Sequence, residues 1–376
     1  MFARRSFPCL IALALLLAGC DTTPMPPARR EAQVAEGGPT SAPRLEAHVV
    51  DDAPPLLPAH DQEPEGARQE APPVQPPAVE APLPSLTPPV TTNAPVSPTV
   101  KAKPTALWVD WEGWLSQHGR PPVKVIPGSR RALWAGAAVY LGFEPRLFSG
   151  RVEVFHRDVE KTFEALLATN SPVRKVPPLI VIDPGHGGTN WGTRSLVGNA
   201  HEKEYTLDWA LRLQALLEAK GWWVVLTRTN DASLELPERV AEAEKAGAAL
   251  FISLHFNAAF PNKAAHGLET YCLTPQGLPS NVVRDFADDA SVPWPNNAFD
   301  AENVRLAMHI HRRLLRATGA EDRGVKRARF MGVLRGQNRP AILIEGGYLS
   351  NPQEARKIAT PEYRQKLAEA VADALN

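Results

Sequence analysis

The chain has little cysteine and no excess of either charge. Of its 376 residues three are cysteines, and 41 Lys and Arg side chains balance 41 Asp and Glu side chains. Two of the cysteines lie within the first twenty residues, so Cys272 is alone in the remainder and cannot form an internal disulfide. The balanced charge and the lack of a basic run argue against a nucleic-acid partner. We therefore expect a fold without disulfides and no nucleic acid among its partners.

Aromatic residues are missing from a long stretch near the start of the chain. Residues 21–104 contain no Phe, Trp or Tyr, but they hold 20 of the 38 prolines. Such a segment cannot bury enough apolar surface to offset the entropy lost on ordering it. We interpret it as a disordered Pro-rich linker with partial polyproline-II character.

The chain also begins with an apolar run that is short for a membrane span. Cys9–Leu17 follows a pair of arginines, and this arrangement is typical of a signal peptide. The Leu-Ala-Gly-Cys sequence that ends at Cys20 resembles the lipobox of bacterial lipoproteins, whose cysteine is lipidated after cleavage. This resemblance implies a signal peptide over residues 1–20, a lipid anchor at Cys20 and a membrane-anchored lipoprotein that faces the periplasm. It leaves open whether the inner or the outer membrane holds the anchor, and an ordinary cleaved signal is the alternative.

Residues 105–170 are predicted to form a small β-rich module. Leu133–Gly142 and Arg151–Phe155 have the pattern of short strands between Gly and Pro turns, and Asp158–Ala168 has that of a helix. The segment resembles the module named after the N-terminal domain of copper amine oxidases, which accompanies wall-associated proteins; the name implies no copper here. We interpret its aromatic residues as a core, with a sugar-binding platform as the alternative.

The last two hundred residues, 177–376, alternate between strand and helix patterns. This alternation predicts an α/β fold with a mostly parallel, twisted sheet covered by helices on both faces. Residues 274–300 are interpreted as an irregular loop that flanks the substrate. The predicted strands are Leu179–Ile182, Trp222–Thr227, Ala249–Leu254, Leu268–Leu273, Phe330–Leu334 and Ala341–Ile344, and the predicted helices are Glu204–Lys220, Pro237–Ala246, Ala301–Thr318 and Pro361–Leu375.

Four polar side chains lie where predicted strands end or where the first helix begins. They are His186, Glu202, His255 and Glu345. Ligands of open α/β sheets collect at the carboxyl ends of the strands, so we expect these side chains to converge. A catalytic zinc has three protein ligands of these types and an open position, and a further carboxylate moves the protons. The four residues together indicate hydrolysis of an amide.

The same residues lie in four motifs of a known enzyme family. Val181–Gly188, Glu202-Lys203, Ile252–Asn257 and Leu343–Asn351 resemble, in order, the motifs of the zinc-dependent N-acetylmuramoyl-L-alanine amidases. These enzymes are hydrolases of the bacterial cell wall. The resemblance extends over roughly residues 177–376.

The resemblance implies a role for each of the four side chains. His186, Glu202 and His255 match the Zn²⁺ ligands of the family, and Glu345 matches its catalytic glutamate. The implied substrate is peptidoglycan, cleaved at the amide between N-acetylmuramic acid and the L-alanine of the stem peptide. An unidentified protein activator is left open.

Several neighbouring residues compete for these roles or extend them. His201 and Glu204 flank Glu202, and either is an alternative ligand. Asn257 is a candidate for binding substrate, although an asparagine that stabilises a turn fits equally well. Arg323, together with Lys326, is a candidate for binding a peptide carboxylate, but we favour the interpretation of the two as a solvated surface pair.

Two other functions remain compatible with the site residues. A zinc peptidase that cuts within the stem peptide uses the same chemistry, and a wall-binding lipoprotein needs no catalysis. A serine hydrolase is disfavoured because the chain has no Gly-x-Ser-x-Gly sequence.

Overall fold

The structure is a computed structural model that describes residues 107–168, 179–284 and 287–375. The predicted signal peptide, the lipid anchor at Cys20 and the Pro-rich linker over 21–104 lie outside the described residues and remain predictions. Within the described ranges, no helix combines the length and the apolar character needed to cross a membrane.

Twelve strands form two sheets in the described part of the chain, one of nine strands and one of three. The strands are β1 (Trp108–Asp110), β2 (Val123–Ile126), β3 (Ser129–Trp134), β4 (Ala137–Tyr140), β5 (Arg146–Phe148), β6 (Arg151–Phe155), β7 (Leu179–Pro184), β8 (Trp223–Leu226), β9 (Leu250–Asn257), β10 (Leu268–Cys272), β11 (Asp322–Arg327) and β12 (Ala341–Tyr348).

Helices cover both faces of the larger sheet. They are α1 (Trp111–Gln117), α2 (His156–Asp158), a π-helical segment (Val159–Glu164), α3 (Ala165–Leu167), α4 (Glu202–Ala219), α5 (Leu236–Lys245), a 3₁₀ segment (Pro295–Phe299), α6 (Asp300–Thr318), α7 (Gly332–Arg335), α8 (Pro352–Ala359) and α9 (Pro361–Ala374).

The alternation of side chains along β7 shows how the strands are buried on both faces. Ile180 and Ile182 pack into a core with Trp209 of α4, whereas Val181 points into a second core with Ala243 of α5. All five side chains are fully buried. Successive side chains of a strand point to opposite faces, so a strand between two helical layers needs apolar residues at every position. This explains why the strand patterns in the sequence are continuous apolar runs.

The α/β fold class is confirmed, with a sheet that is mixed. Its order is β2-β3-β4-β11-β10-β12-β9-β7-β8. The pairs β7–β8, β7–β9, β9–β12, β10–β11 and β4–β11 are parallel, while β10–β12, β2–β3 and β3–β4 are antiparallel. Strand β10 runs against β12 because the connection 258–267 from β9 to β10 contains no helix, and a parallel crossover needs a longer connection, usually through a helix.

Strands from the predicted N-terminal module continue the same sheet. Val139 of β4 pairs in parallel with Val325 of β11, so β2, β3 and β4 extend the sheet that carries the predicted site. The rings of Trp111 and Trp114 stack with centroids 4.8 Å apart and pack around the buried Phe163. These aromatics therefore form a core, as interpreted from the sequence. The division into a module over 105–170 and a catalytic domain over 177–376 remains a prediction.

Two predicted elements differ from the structure. Phe330–Leu334 was predicted as a strand, but Gly332–Arg335 forms the helix α7, whose Val333 and Leu334 are buried. A short apolar run does not by itself distinguish a strand from a buried helical turn, and this explains the error. Leu133–Gly142 is a hairpin of two strands, because Ala135 and Gly136 have φ angles of +47° and +87° and turn the chain.

Candidate metal and catalytic site

Three of the four predicted site residues meet at the carboxyl end of the sheet. His186 follows β7, His255 lies in β9 and Glu202 is the first residue of α4. Their ligand atoms all lie within 4.8 Å of one another, and they form the one such group of three or more among the described residues. Glu202 Oε1 is 3.0 Å from His186 Nε2 and 3.0 Å from His255 Nδ1.

A buried carboxylate at the end of β7 fixes the turn that carries His186. Asp183 accepts hydrogen bonds from Thr227 Oγ1 at 2.6 Å, Arg239 at 2.7 Å and Ser253 Oγ at 2.7 Å. Burial alone would raise the pKa of Asp183, but the Arg239 charge and these hydrogen bonds hold that pKa below its usual value. Arg239 also donates to the His186 carbonyl at 2.8 Å. The turn is thus tied to β8, β9 and α5, which limits how far the imidazole can move.

The loop backbone around the three ligand residues is packed so closely that it needs glycine. A Cβ at Gly185 would lie 2.2 Å from His255 Cε1. A Cβ at Gly192, where φ is +65°, would lie 2.7 Å from His186 Cδ2 and 2.8 Å from Glu202 Cβ. Glycine at both positions therefore lets the main chain press directly against the side chains that form the cluster.

Polar partners outside the cluster orient its members. His186 Nδ1 lies 2.8 Å from Asn190 Oδ1, which leaves Nε2 directed toward Glu202. Glu202 Oε1 accepts from the Phe256 N–H at 3.0 Å, and Oε2 accepts from the Thr193 N–H at 3.0 Å. Such outer contacts fix ring orientation and tautomer in metal sites, and here they hold the three side chains ready.

The electrostatics of the cluster suit a divalent cation. Burial alone would raise the pKa of Glu202, but the His186 and His255 imidazoles hold it well below its usual value. Burial lowers the pKa of His255. An ionised carboxylate beside two imidazole nitrogens is the donor set of catalytic zinc sites, so these residues fit that metal.

Glu345 lies beside the cluster without belonging to it. In strand register it is opposite His255 on β9 and opposite Glu269 on β10. Its Oε2 atom is buried and has no hydrogen-bond partner among the described residues. Burial, followed by the charges of Glu202 and Glu269, raises the pKa of Glu345 well above its usual value. A carboxyl group with a raised pKa and an unpaired oxygen suits the exchange of protons with a reacting molecule.

The structure brings Glu202, rather than its neighbours, to the histidines. His201 and Glu204 form a capping box at the start of α4, in which the Glu204 carboxylate accepts from the His201 N–H. The Glu204 side chain therefore stabilises the helix end.

Asn257 and Arg323 both contact the same buried carboxylate, Glu269. Asn257 Nδ2 donates to Glu269 Oε2 at 3.1 Å, and Arg323 Nε donates to Glu269 Oε1 at 2.7 Å. Only 15% of the Arg323 side chain and 12% of the Lys326 side chain are exposed, so the interpretation of the two as a solvated surface pair is wrong. A role for either residue in binding substrate stays a prediction.

Sequence reasoning missed Glu269 itself. The side chain is 2% exposed and accepts from Tyr271 Oη at 2.5 Å, Tyr348 Oη at 2.8 Å and Lys326 Nζ at 3.0 Å, besides Arg323 and Asn257. Burial opposes ionisation, but the Lys326 and Arg323 charges hold the pKa of Glu269 at about 2. An acidic residue within a predicted strand, between Leu268 and Tyr271, requires partners if the strand is buried, and that was the available signal.

Arg284 was missed as well. Its guanidinium lies 4.5 Å from the centroid of the Phe330 ring, and its positive charge opposes the rise in the pKa of Glu345. It belongs to the loop 274–300 that the sequence predicts to flank the substrate. A lone arginine in an irregular loop carries no pattern that points to a site.

Comparison with known proteins gives a consistent result. The N-acetylmuramoyl-L-alanine amidase family matches residues 180–376. The N-acetylmuramoyl-L-alanine amidase LytC of Bacillus subtilis (strain 168) is 35% identical over 195 residues, which are 52% of this chain and 34% of LytC. AmiA of Escherichia coli (strain K12), with the same activity in its name, is 27% identical over 274 residues, which cover 67% of this chain and 92% of AmiA.

Among solved structures, the chain is similar to the catalytic domain of CwlV, an N-acetylmuramoyl-L-alanine amidase from Bacillus (Paenibacillus) polymyxa var. colistinus. The identity is 30%, the match covers 53% of this chain and 96% of that domain, and the TM-score is 0.44. The chain thus spans about a third of the length of LytC and nearly all of the CwlV catalytic domain.

Proposed function

The chain belongs to the N-acetylmuramoyl-L-alanine amidase family, and from this premise we propose that it uses Zn²⁺ to hydrolyse the amide between N-acetylmuramic acid and L-alanine in peptidoglycan. The observation that carries the proposal is the cluster of His186, Glu202 and His255 beside a buried Glu345 oxygen for which the described part of the chain offers no hydrogen-bond partner. The cluster is a ligand set, and the separate carboxyl group is an acid and base.

Each side chain has a separate task. His186, Glu202 and His255 hold Zn²⁺, which when bound activates water and polarises a carbonyl group. Asn190 and the Thr193 and Phe256 amides keep the ligands in place, so little reorganisation accompanies the reaction.

Glu345 transfers the proton. Its Oε2 accepts a proton from the attacking water as the water oxygen bonds to the lactyl carbonyl carbon. The same oxygen then donates this proton to the alanine nitrogen as the C–N bond breaks, so the peptide leaves as a neutral amine. Arg284 favours the ionised form of Glu345 that the first step needs.

The proposal predicts that Glu345→Gln retains zinc but loses turnover. We expect a fall in rate of roughly 10²–10⁴-fold on purified sacculi, because the amide cannot accept the proton. Product masses and metal analysis of the purified protein measure both effects. Glu362→Gln, an exposed change on α9, is the control and should behave as the parent enzyme.

The products separate this function from its alternatives. An amidase releases peptides with a free N-terminal alanine and leaves glycan with a lactyl carboxylate, and a chelator stops both. Cuts within stem peptides that stay attached to glycan would instead identify a peptidase. Binding to sacculi without any release would identify a wall-binding protein.

We propose further that the enzyme works in the cell envelope, anchored by lipid at Cys20. The support is the lipobox-like sequence and the Pro-rich linker over 21–104. We expect the Cys20→Ala protein to lose incorporation of labelled fatty acid and to leave the detergent phase, whereas Cys272→Ala keeps both properties. Equal labelling of the parent and the Cys20→Ala protein would contradict the anchor.

A further inference from the structure

One exposed tryptophan lies directly beside the candidate metal site. Trp191 is 55% exposed and immediately precedes Gly192, whose main chain packs against His186 and Glu202. Trp223 is 64% exposed, but it pairs with Leu179 at the other end of the sheet, where β7 begins. Single exposed apolar residues are common and need no explanation by themselves. Trp191 differs from such isolated residues because it lies beside the candidate metal site and because neighbouring side chains contact its ring.

Trp191 is held in place by the two residues that adjoin Glu202 at the start of α4, His201 and Lys203. The Lys203 N–H donates to the Trp191 carbonyl at 3.3 Å, and the Trp191 ring centroid lies 4.8 Å from that of His201. Lys203 Nζ lies 5.9 Å from the Trp191 ring centroid and is itself fixed by Asp231 at 2.6 Å and the Gly188 carbonyl at 2.9 Å. An indole supported in this way loses little conformational entropy when a ligand covers it.

The proton that Glu345 donates to the leaving amine indicates which part of the substrate lies near Trp191. Glu345 on β12 protonates the leaving amine in the proposed function, so the peptide lies toward β12. Strand β9 separates β12 from β7, and Trp191 belongs to the loop that joins β7 to α4. The acyl part of the substrate, which carries the sugar, therefore extends toward Trp191.

We propose that Trp191 is a binding platform for a sugar ring of the glycan strand, on the acyl side of the scissile amide; this rests on the proposed function. A pyranose ring presents a flat face of C–H groups, which matches the apolar face of an indole, and its hydroxyl groups remain free to bond to water or to the indole N–H. Trp191 is thus a substrate-positioning residue for the glycan.

Binding is tested apart from catalysis, in full-length protein that carries Glu345→Gln. The probes are peptide-free glycan strands and free stem peptide, measured by calorimetry. We expect Trp191→Ala to weaken binding of the glycan about tenfold and to leave binding of the peptide unchanged. Trp191→Phe should restore most of the affinity, and Trp223→Ala should match the parent.

Kinetics on sacculi with the active enzyme give a second measurement. Loss of a contact made equally before and during the reaction raises KM and leaves kcat nearly unchanged, and we expect this for Trp191→Ala. Zinc content is measured in every variant, and Trp191→Leu, which keeps an apolar side chain without an aromatic face, serves as the test protein if the alanine variant loses metal. Unchanged glycan affinity in the variant tested, or a loss confined to the free peptide, would overturn the proposal.

A failure of the proposed function gives a different result. In that case the parent and Trp223→Ala proteins both release no peptides with N-terminal alanine, whatever their affinity for glycan.

Discussion

Two buried carboxylates near Glu345 have opposite surroundings, and the contrast separates a candidate metal site from a structural one. Glu202 contacts two imidazoles, whose nitrogen electron pairs can bind a cation in place of the present contacts. Glu269 instead contacts two cations, Arg323 and Lys326, and three neutral donors, so positive charge already surrounds it and would repel a metal ion. The charge of the partners therefore distinguishes the candidate metal ligand from the structural carboxylate.

Both carboxylates nevertheless act on Glu345. Their negative charges contribute to its raised pKa, after the larger effect of burial. Glu269 also braces the strand next to Glu345, because it ties β10 to β11 through Arg323 and to β12 through Tyr348. One neighbour thus belongs to the candidate metal cluster, and the other supports the strand beside Glu345, the proposed catalytic residue.

The largest effect is expected from breaking the metal cluster. Glu202→Ala removes the atom that contacts both histidines, so the protein should lose bound zinc and its activity on sacculi should fall below detection. Metal analysis and product masses measure these losses. Glu204→Ala, two residues further along the helix and in the capping box, should retain zinc. Full zinc occupancy in Glu202→Ala would contradict the ligand assignment.

The equivalent change at the structural carboxylate should affect stability instead. Glu269→Gln removes the buried carboxylate that pairs with both Arg323 and Lys326, and breaking such a buried pair typically costs about 3–5 kcal/mol of unfolding free energy. Denaturant unfolding measures it, with the exposed change Glu112→Gln as a control near zero. A stable Glu269→Gln protein with reduced zinc would reverse the roles of the two carboxylates.

The stabilising role of Glu269 should also be visible in the pH dependence of the unfolding free energy. The folded-state pKa of Glu269 is about 2, below its usual value of 4.5, so its contribution to stability is complete above pH 4.5 and is lost as the pH falls toward 2. The contribution amounts to about 3 kcal/mol. Unfolding curves between pH 7 and 2 should therefore fall more steeply for the parent than for Glu269→Gln, and parallel curves would contradict this account.

The smallest effect is expected at Arg284. Its charge favours the ionised form of Glu345, so Arg284→Gln should move the acidic limb of the activity profile to higher pH by a fraction of a unit. The profile of kcat/KM against pH measures the shift, and Arg151→Gln on β6 is the control. A shift to lower pH would show that Arg284 does not act on the Glu345 charge.

The site was more predictable than the fold around it. His186, His255 and Glu345 lie at or near the ends of apolar runs, a local signal that survives in a single sequence. The choice of Glu202 as a ligand depended on the resemblance to the family. The sequence alone does not show that its neighbours His201 and Glu204 pair with each other at the start of α4. Polar residues at strand ends therefore predict convergence, while the choice among adjacent residues depends on helix geometry.

The pairing of strands and side chains that are far apart in the chain could not be predicted from the sequence. The pairing of Val139 with Val325 joins segments that are far apart in the chain, and nothing in either segment's own sequence identifies the other as its partner. Glu269 was missed for the same reason, because its partners come from β9, β11 and β12. Local reasoning also failed in places: the short helix α7 was mistaken for a strand, and the helix α8 and the strand β11 were not predicted.

The central claim is that His186, Glu202 and His255 together bind zinc while Glu345 stays free beside them. Anomalous diffraction at the zinc edge, from crystals of the protein purified with zinc, tests it most directly. We predict one strong peak bonded to those three side chains and not to Glu345. A peak bonded to Glu345, or no peak between the two histidines at full zinc occupancy, would contradict the account.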